Sequence, residues 1–310
     1  MRKRYLVAAS ILLLAACNVD GHVAGVNDDR DGYDDDDSDE AVIEDASSAA
    51  TPPAPAAAHT VCLNADGPAG KDTYKLITDV LGSGAVENPD NDHHPPLRHI
   101  REVIDAQVGP AFEFLAHRDI DTDRDVNFDR SRIEIKVAPS GGHDALKARE
   151  NQTFAYTWRF RIDAGMKFSN RFTHMFQLKS SQGDDGAPLI TITGRGGGAG
   201  KLQVIHTGNP SQGTLGQVSL AGLQGVWLDV SVRATFSHHG ALRLTIKKPD
   251  GSAVIDIDRQ NLDLWRDGDH IRPKWGIYRG KSDQLRAAED SVRFASFAIT
   301  PGGQPTSTCR

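Results

Sequence analysis

What most restricts the fold of this chain is an alternation of period two that recurs in short stretches. Residues 153–162 place Phe154, Tyr156, Trp158, Phe160 and Ile162 on one side, against small or basic residues on the other. Residues 131–137 set Ile133, Ile135 and Val137 against Arg132, Glu134 and Lys136. Side chains of an extended strand point alternately to opposite faces, so each such stretch reads as a β-strand with one face in a core. Strands are likewise expected over 111–117, 172–179, 189–193, 201–206, 227–236, 241–247, 254–257, 271–280 and 292–299. The intervening segments carry turn residues, as in Gly183-Asp184-Asp185-Gly186 and Pro249-Asp250-Gly251. Residues 72–81, around Tyr74-Lys75-Leu76-Ile77, fit a short helix or a strand. Many short strands, no long helix between them and no internal repeat predict an all-β fold. The architecture expected is a β-jelly roll, a two-sheet sandwich whose concave sheet faces water as a groove. One domain over residues 60–310 suits that class.

The N-terminus has a different character. Arg2, Lys3 and Arg4 precede a short apolar run, and Leu14-Ala15-Ala16-Cys17 follows it. The run is too short to span a bilayer and has the form of a signal peptide over residues 1–16. Its end resembles a bacterial lipobox, which implies a lipid on Cys17 and a cell-envelope lipoprotein, with Asn18 favouring the outer membrane. Residues 17–59, rich in Asp and Glu and then in Ser, Ala, Thr and Pro, read as a disordered tether. The net charge of −7 belongs to that segment. Four of the 35 Lys and Arg and twelve of the 42 Asp and Glu precede residue 60, leaving 31 basic and 30 acidic residues beyond it. A near-neutral domain attracts a polyanion only through local clustering, and nucleic acid is not an expected partner. Cys62 and Cys309 bracket the domain, and in an oxidising compartment they are expected to form a disulfide.

The stretch 271–280 carries the chemistry. Its pleat puts Lys274, Gly276 and Tyr278 on one face and Trp275, Ile277 and Arg279 on the other. An ammonium, a residue without a side chain and a phenol suit the floor of a groove better than a core, the glycine letting a ligand approach the backbone. Other groove candidates are Arg130, Arg132, Lys136, Gln177, Lys179, His206 and Arg279. Carboxylates are scarce among them, and Glu134 sits between two cations, which disfavours a glycosidase built on two carboxyl groups. Cations, an amide and a phenol suit β-elimination across a uronic acid instead. The proton α to its carboxylate becomes acidic once that carboxylate is neutralised, and a tyrosine or histidine can then move protons.

Three stretches resemble the motifs of concanavalin A-like jelly-roll polysaccharide lyases, nearest to the heparin lyase I and glucuronan lyase type. They are Asp129-Arg130-Ser131-Arg132-Ile133-Glu134-Ile135-Lys136, Phe172-Thr173-His174-Met175-Phe176-Gln177-Leu178-Lys179 and Arg272-Pro273-Lys274-Trp275-Gly276-Ile277-Tyr278-Arg279. The resemblance implies a lyase acting on an anionic polysaccharide such as glucuronan or heparin/heparan sulfate. It makes Tyr278 the acid/base and Gln177 the neutraliser of the uronate carboxylate, with Arg132 and Lys274 lining the groove. The family often adds a histidine, for which His143 is the first choice and His174 and His206 are rivals. Leu178 and Lys179 follow Gln177, so the Gln-x-His pair of alginate lyases is missing.

Other residues invite plainer readings. Asp119, Asp121, Asp123 and Asp125 alternate, but lack the glycine and distal glutamate of an EF-hand, so they read as an acidic turn; a structural Ca²⁺ is the one ion considered, and no cofactor or catalytic metal is expected. Trp265 fits a sugar platform or the core equally. The glycine-rich loop 194–200 has no following helix, which argues against nucleotide binding. The chain is expected to act as a monomer. The competing reading is a non-catalytic, lectin-like glycan-binding lipoprotein using the same groove.

Overall fold

The computed structural model describes residues 59–91, 96–196, 200–282, 288–306 and 309. The leader, Cys17 and the acidic tether lie outside the described residues, as does the centre of the 194–200 loop. Fifteen strands occur among the described residues: β1 (Val61–Leu63), β2 (Val86–Glu87), β3 (Ile100–Asp105), β4 (Gly109–His117), β5 (Arg130–Lys136), β6 (Thr153–Ile162), β7 (Thr173–Ser181), β8 (Ile190–Arg195), β9 (Lys201–His206), β10 (Gly213–Ser219), β11 (Trp227–Thr235), β12 (Gly240–Lys247), β13 (Ala253–Leu262), β14 (His270–Gly280) and β15 (Glu289–Pro301). The ambiguous stretch 72–81 is a helix, α1 (Thr73–Leu81), whose first turn is capped by the Asp72 side chain accepting from Lys75 N–H.

The strands form two antiparallel sheets, as the alternation predicts. One runs β13-β12-β11-β6-β15-β4-β3, with β1 added to β15; the other runs β10-β9-β8-β7-β14-β5-β2. Their inner faces meet in one core. Trp158 of β6 packs against Phe176 of β7 and Trp275 of β14, with ring centroids 4.4 and 6.0 Å apart. Trp265 joins this core, 5% exposed, and is no rim platform. Cys62 and Cys309 are joined, tying β1 to a point 247 residues away.

Two irregularities decide which side chains face outward from the seven-stranded sheet. In β7 the pairing to β8 shifts between His174 and Phe176. Met175 and Phe176 consequently both enter the core, and His174 turns to the same outer side as Gln177. In β14 the residue that permits the shift against β7 is Gly276, at φ 146°. A Cβ there would sit 2.1 Å from the Ile133 carbonyl oxygen, so the neighbouring strand, rather than a ligand, fills the space that a side chain would need.

Candidate active site

The outer face of β5, β14 and β7 gathers most of the expected residues. Register pairs Tyr278 with Arg132 on one side and with His174 on the other. Lys274 lies between Lys136 and Gln177, and Arg272 lies beside Lys179. All of these are nearly covered; Tyr278 retains 8% of its surface and His174 7%.

The tyrosine sits among cations and rings. Arg130 donates from Nη1 to the Tyr278 hydroxyl at 3.3 Å, and also grips Asp129 at 2.8 Å. The Arg132 guanidinium lies 3.9 Å from the centre of the Tyr278 ring, a cation–π contact. Phe172 and His174 flank the ring, with centroids 5.1 and 6.0 Å away. Burial, reinforced by the charges of Arg195, Arg132 and Lys274, pushes the His174 imidazole down to about 3. His174 is therefore neutral at ordinary pH, and its Nδ1 has no hydrogen-bond partner among the described residues.

Beside the tyrosine lies a closed charge network. Glu134 accepts from Arg132 Nη1 at 2.8 Å and from Lys274 Nζ at 3.0 Å, and its other oxygen takes a short hydrogen bond from the Gln177 amide. Glu87 reaches in from β2 to Lys274 at 2.6 Å and Lys136 at 2.8 Å. Asp123 reaches in from the β4–β5 loop to Arg132 Nε at 2.8 Å. Three carboxylates thus meet the three buried cations Arg132, Lys136 and Lys274, and the partly exposed Arg124 adds a fourth against Asp123 at 3.3 Å. Burial pushes the Glu87 carboxyl up, but Lys274, Arg132 and Lys136 together hold it well below its ordinary value. Burial likewise opposes the charge on Arg132, yet Glu87, Glu134 and Asp123 raise it well above the usual guanidinium range. Lys136 goes the other way. Burial lowers it, Lys274 and Arg272 add to the lowering, and the Glu87 carboxylate only partly offsets them.

This network corrects the sequence reading at its centre. The resemblance makes Gln177 the neutraliser of a substrate carboxylate and Lys274 a groove-lining cation; in the fold the partner of both is Glu134. Glu87 is absent from the sequence reading, and Asp123 belongs there to a plain acidic turn, whereas both are buried or nearly so and bonded across the face. Non-local approach of this kind leaves no mark in spacing.

Three other candidates fall elsewhere. Arg279 points between the sheets, fully buried, donating to Asp290 and to the Ala116 carbonyl at 3.1 Å. Its pleat position opposite Tyr278 explains this, and its charge misled the groove assignment. His206 is also fully buried, with Nε2 against the Asp263 carbonyl at 2.8 Å and Nδ1 accepting from Gln212 N–H at 3.1 Å, so both nitrogens serve the fold. His143 is exposed in the loop that leaves β5 beyond Lys136, at the opposite end of that strand from Arg130. Lys136 is four steps along the strand from Arg132, roughly 13 Å, and His143 lies beyond it, away from Tyr278. His174 is the histidine that the fold brings there.

No protein-family model matches the chain, and no curated protein matches it. Solved structures do. An alginate lyase, Aly36B, in complex with an alginate trisaccharide aligns over 77% of this chain and 97% of its own, at 11% identity and a TM-score of 0.51. An endo-β-1,4-glucuronan lyase from Trichoderma reesei aligns over 73% of this chain and 96% of its own, at 15% identity and a TM-score of 0.46. A marine alginate lyase from Aplysia kurodai aligns over 80% and 100%, at 13% identity and a TM-score of 0.49. At such identities the likeness concerns the fold, a jelly roll of the kind found in polysaccharide lyases, and gives no support to heparin lyase I in particular.

Proposed function

We propose that this protein is a polysaccharide lyase that cleaves a uronic-acid-containing chain by β-elimination. The observation that carries the reading is the convergence on one outer face of the Tyr278 phenol, the neutral His174 imidazole and the guanidinium groups of Arg130 and Arg132. In the proposed reaction His174 takes the proton from the carbon α to the uronate carboxylate. The electron pair left behind forms the carbon–carbon double bond, the bond to the glycosidic oxygen breaks, and Tyr278 returns a proton to that oxygen. Arg130 stands at the tyrosine oxygen, where it stabilises negative charge that develops during the transfer and offers a cation to the substrate carboxylate. Lys179 and Arg272, on the same face, extend the binding surface for an anionic chain. The glucuronan and alginate lyases of shared fold make glucuronan and alginate the first substrates to try. Export as a lipid-anchored envelope protein, through Cys17, belongs to the same proposal and suits a polymer met outside the cytoplasm.

One observation favours the non-catalytic alternative. Gln177 and Lys274, the groups suited to neutralising a uronate, are already satisfied by Glu134. The deciding experiment incubates the protein with glucuronan, alginate, heparan sulfate and hyaluronan and follows the ultraviolet absorbance of the unsaturated uronyl product. A rise that Tyr278→Phe reduces by about 10²–10⁴-fold supports the lyase. Retention of the same polymers without any absorbance supports the binding protein, and new reducing ends without absorbance would point to hydrolysis.

A further inference from the structure

Away from Tyr278, His99, His117 and Asp121 bring three potential ligand atoms together. His99 lies just before β3, His117 ends β4, and Asp121 follows in the β4–β5 loop. His99 Nε2 is 3.1 Å from His117 Nδ1 and 3.0 Å from Asp121 Oδ1, and His117 Nδ1 is 3.1 Å from the same oxygen. The triangle is nearly equilateral, and a point about 2 Å from all three corners exists just off its plane, the length of a zinc–nitrogen or zinc–oxygen bond. The two imidazole planes stand at 81°, as separate ligands around one centre do.

The outward atoms of the same residues are already engaged. His99 Nδ1 is 2.8 Å from Asp90 Oδ1, and Asp90 is itself fixed by the Tyr74 hydroxyl at 2.6 Å. His117 Nε2 faces Glu289 at 3.3 Å. The second oxygen of Asp121 accepts from His117 N–H at 2.6 Å. When each ring donates its outer N–H to a carboxylate, its inner nitrogen carries a lone pair. Two lone pairs and a carboxylate oxygen then converge on one point, an arrangement that a cation relieves. Histidine backed by carboxylate is the usual outer support of a bound transition metal. His99 and Asp121 are fully buried, so the site is held by the fold rather than by a surface cluster.

We infer that His99, His117 and Asp121 form a structural binding site for a divalent transition metal, zinc being the best match to two imidazoles and one carboxylate. The ion would clip the β4–β5 loop onto the start of β3 and the end of β4. That loop carries Asp123 two residues beyond Asp121, and Asp123 holds Arg132 against the Tyr278 ring. The metal site and the Tyr278 face are thereby joined through three residues of one loop, although the metal inference stands on its own geometry and does not need the lyase reading.

The test is metal content. Full-length protein, dialysed after exposure to Zn²⁺, is analysed by elemental mass spectrometry and by thermal unfolding with and without chelator. About one equivalent is expected, with a lower melting temperature after its removal, and loss of that equivalent in His117→Gln. No bound metal in the wild type, or a full equivalent retained by the folded His117→Gln variant, overturns the site. If that variant fails to fold, Co²⁺-loaded wild type answers the same question by NMR: two paramagnetically shifted imidazole N–H resonances are expected, and their absence overturns it.

Discussion

Replacing His174 by glutamine tests how the fold treats this imidazole. An unfolded histidine takes up a proton as pH falls through about 6.5, whereas burial among Arg195, Arg132 and Lys274 holds the folded one neutral down to about 3. Between those values the unfolded chain binds more protons than the folded one, so stability falls as pH falls. The slope from one such group is about 1.4 kcal/mol per pH unit, and lowering pH from 6.5 to 5 removes about 2 kcal/mol. Burial lowers His206 and His270 as well, so the wild-type loss is the sum of several groups. The difference between wild type and His174→Gln isolates the one at issue. Urea unfolding at pH 7 and pH 5 should show His174→Gln losing about 2 kcal/mol less than wild type. Equal losses in the two proteins, or an imidazole resonance of His174 that titrates near 6.5, would refute the argument. The same neutrality predicts that an acid limb at neutral or mildly acidic pH comes from a group other than His174, whose own protonation limits the rate only near pH 3.

Glu134→Ala leaves Arg132 and Lys274 buried with a carboxylate missing, and should cost about 3–5 kcal/mol in denaturant unfolding; a variant as stable as wild type would show that water replaces the carboxylate. Gly276→Ala combines a left-handed φ with a clash against the β5 backbone and should lose about 2–4 kcal/mol by the same measurement. Changing both Cys62 and Cys309 to serine frees a loop of more than two hundred residues in the unfolded state, and a cost of about 2–5 kcal/mol is expected, vanishing when wild type is measured under reductant. Asp290→Ala strands the buried Arg279 guanidinium and should destabilise by about 3–5 kcal/mol, with rescue by a second change, Arg279→Met.

The strands that could be read in the sequence were those whose alternation separates large apolar residues from polar ones. Residues 153–162 and 201–206 match β6 and β9 end to end, and 131–137 is displaced from β5 by a single residue. Strand β10 escaped because Gly213 and Gly216 leave little pattern and much of it is exposed. Strand β3 escaped because its polar residues alternate with few large apolar ones, and β1 and β2 are two or three residues long. At the candidate site, pleat counting places Lys274 and Tyr278 on one face of 271–280 and Arg132 on the polar face of 131–137, while the resemblance adds Gln177 to them. It could not supply Glu87 or Asp123, which arrive from separate segments, nor Asp290, which waits for Arg279 on the opposite sheet. His143 is suggested by its loop directly after the Arg132 strand, but only the paired register of β5 and β14 tells how far that loop lies from the phenol.

The doubled inward turn at Met175 and Phe176 bears on how related chains are recognised. Search patterns for strand-borne chemistry are written in even separations, because one pleat repeats every second residue. Here His174 and Gln177 stand three apart and still look the same way. A pattern allowing odd gaps across this strand would collect proteins that an even-gap pattern discards, and a deletion of the extra residue would restore the even gap while leaving the imidazole on the outward side.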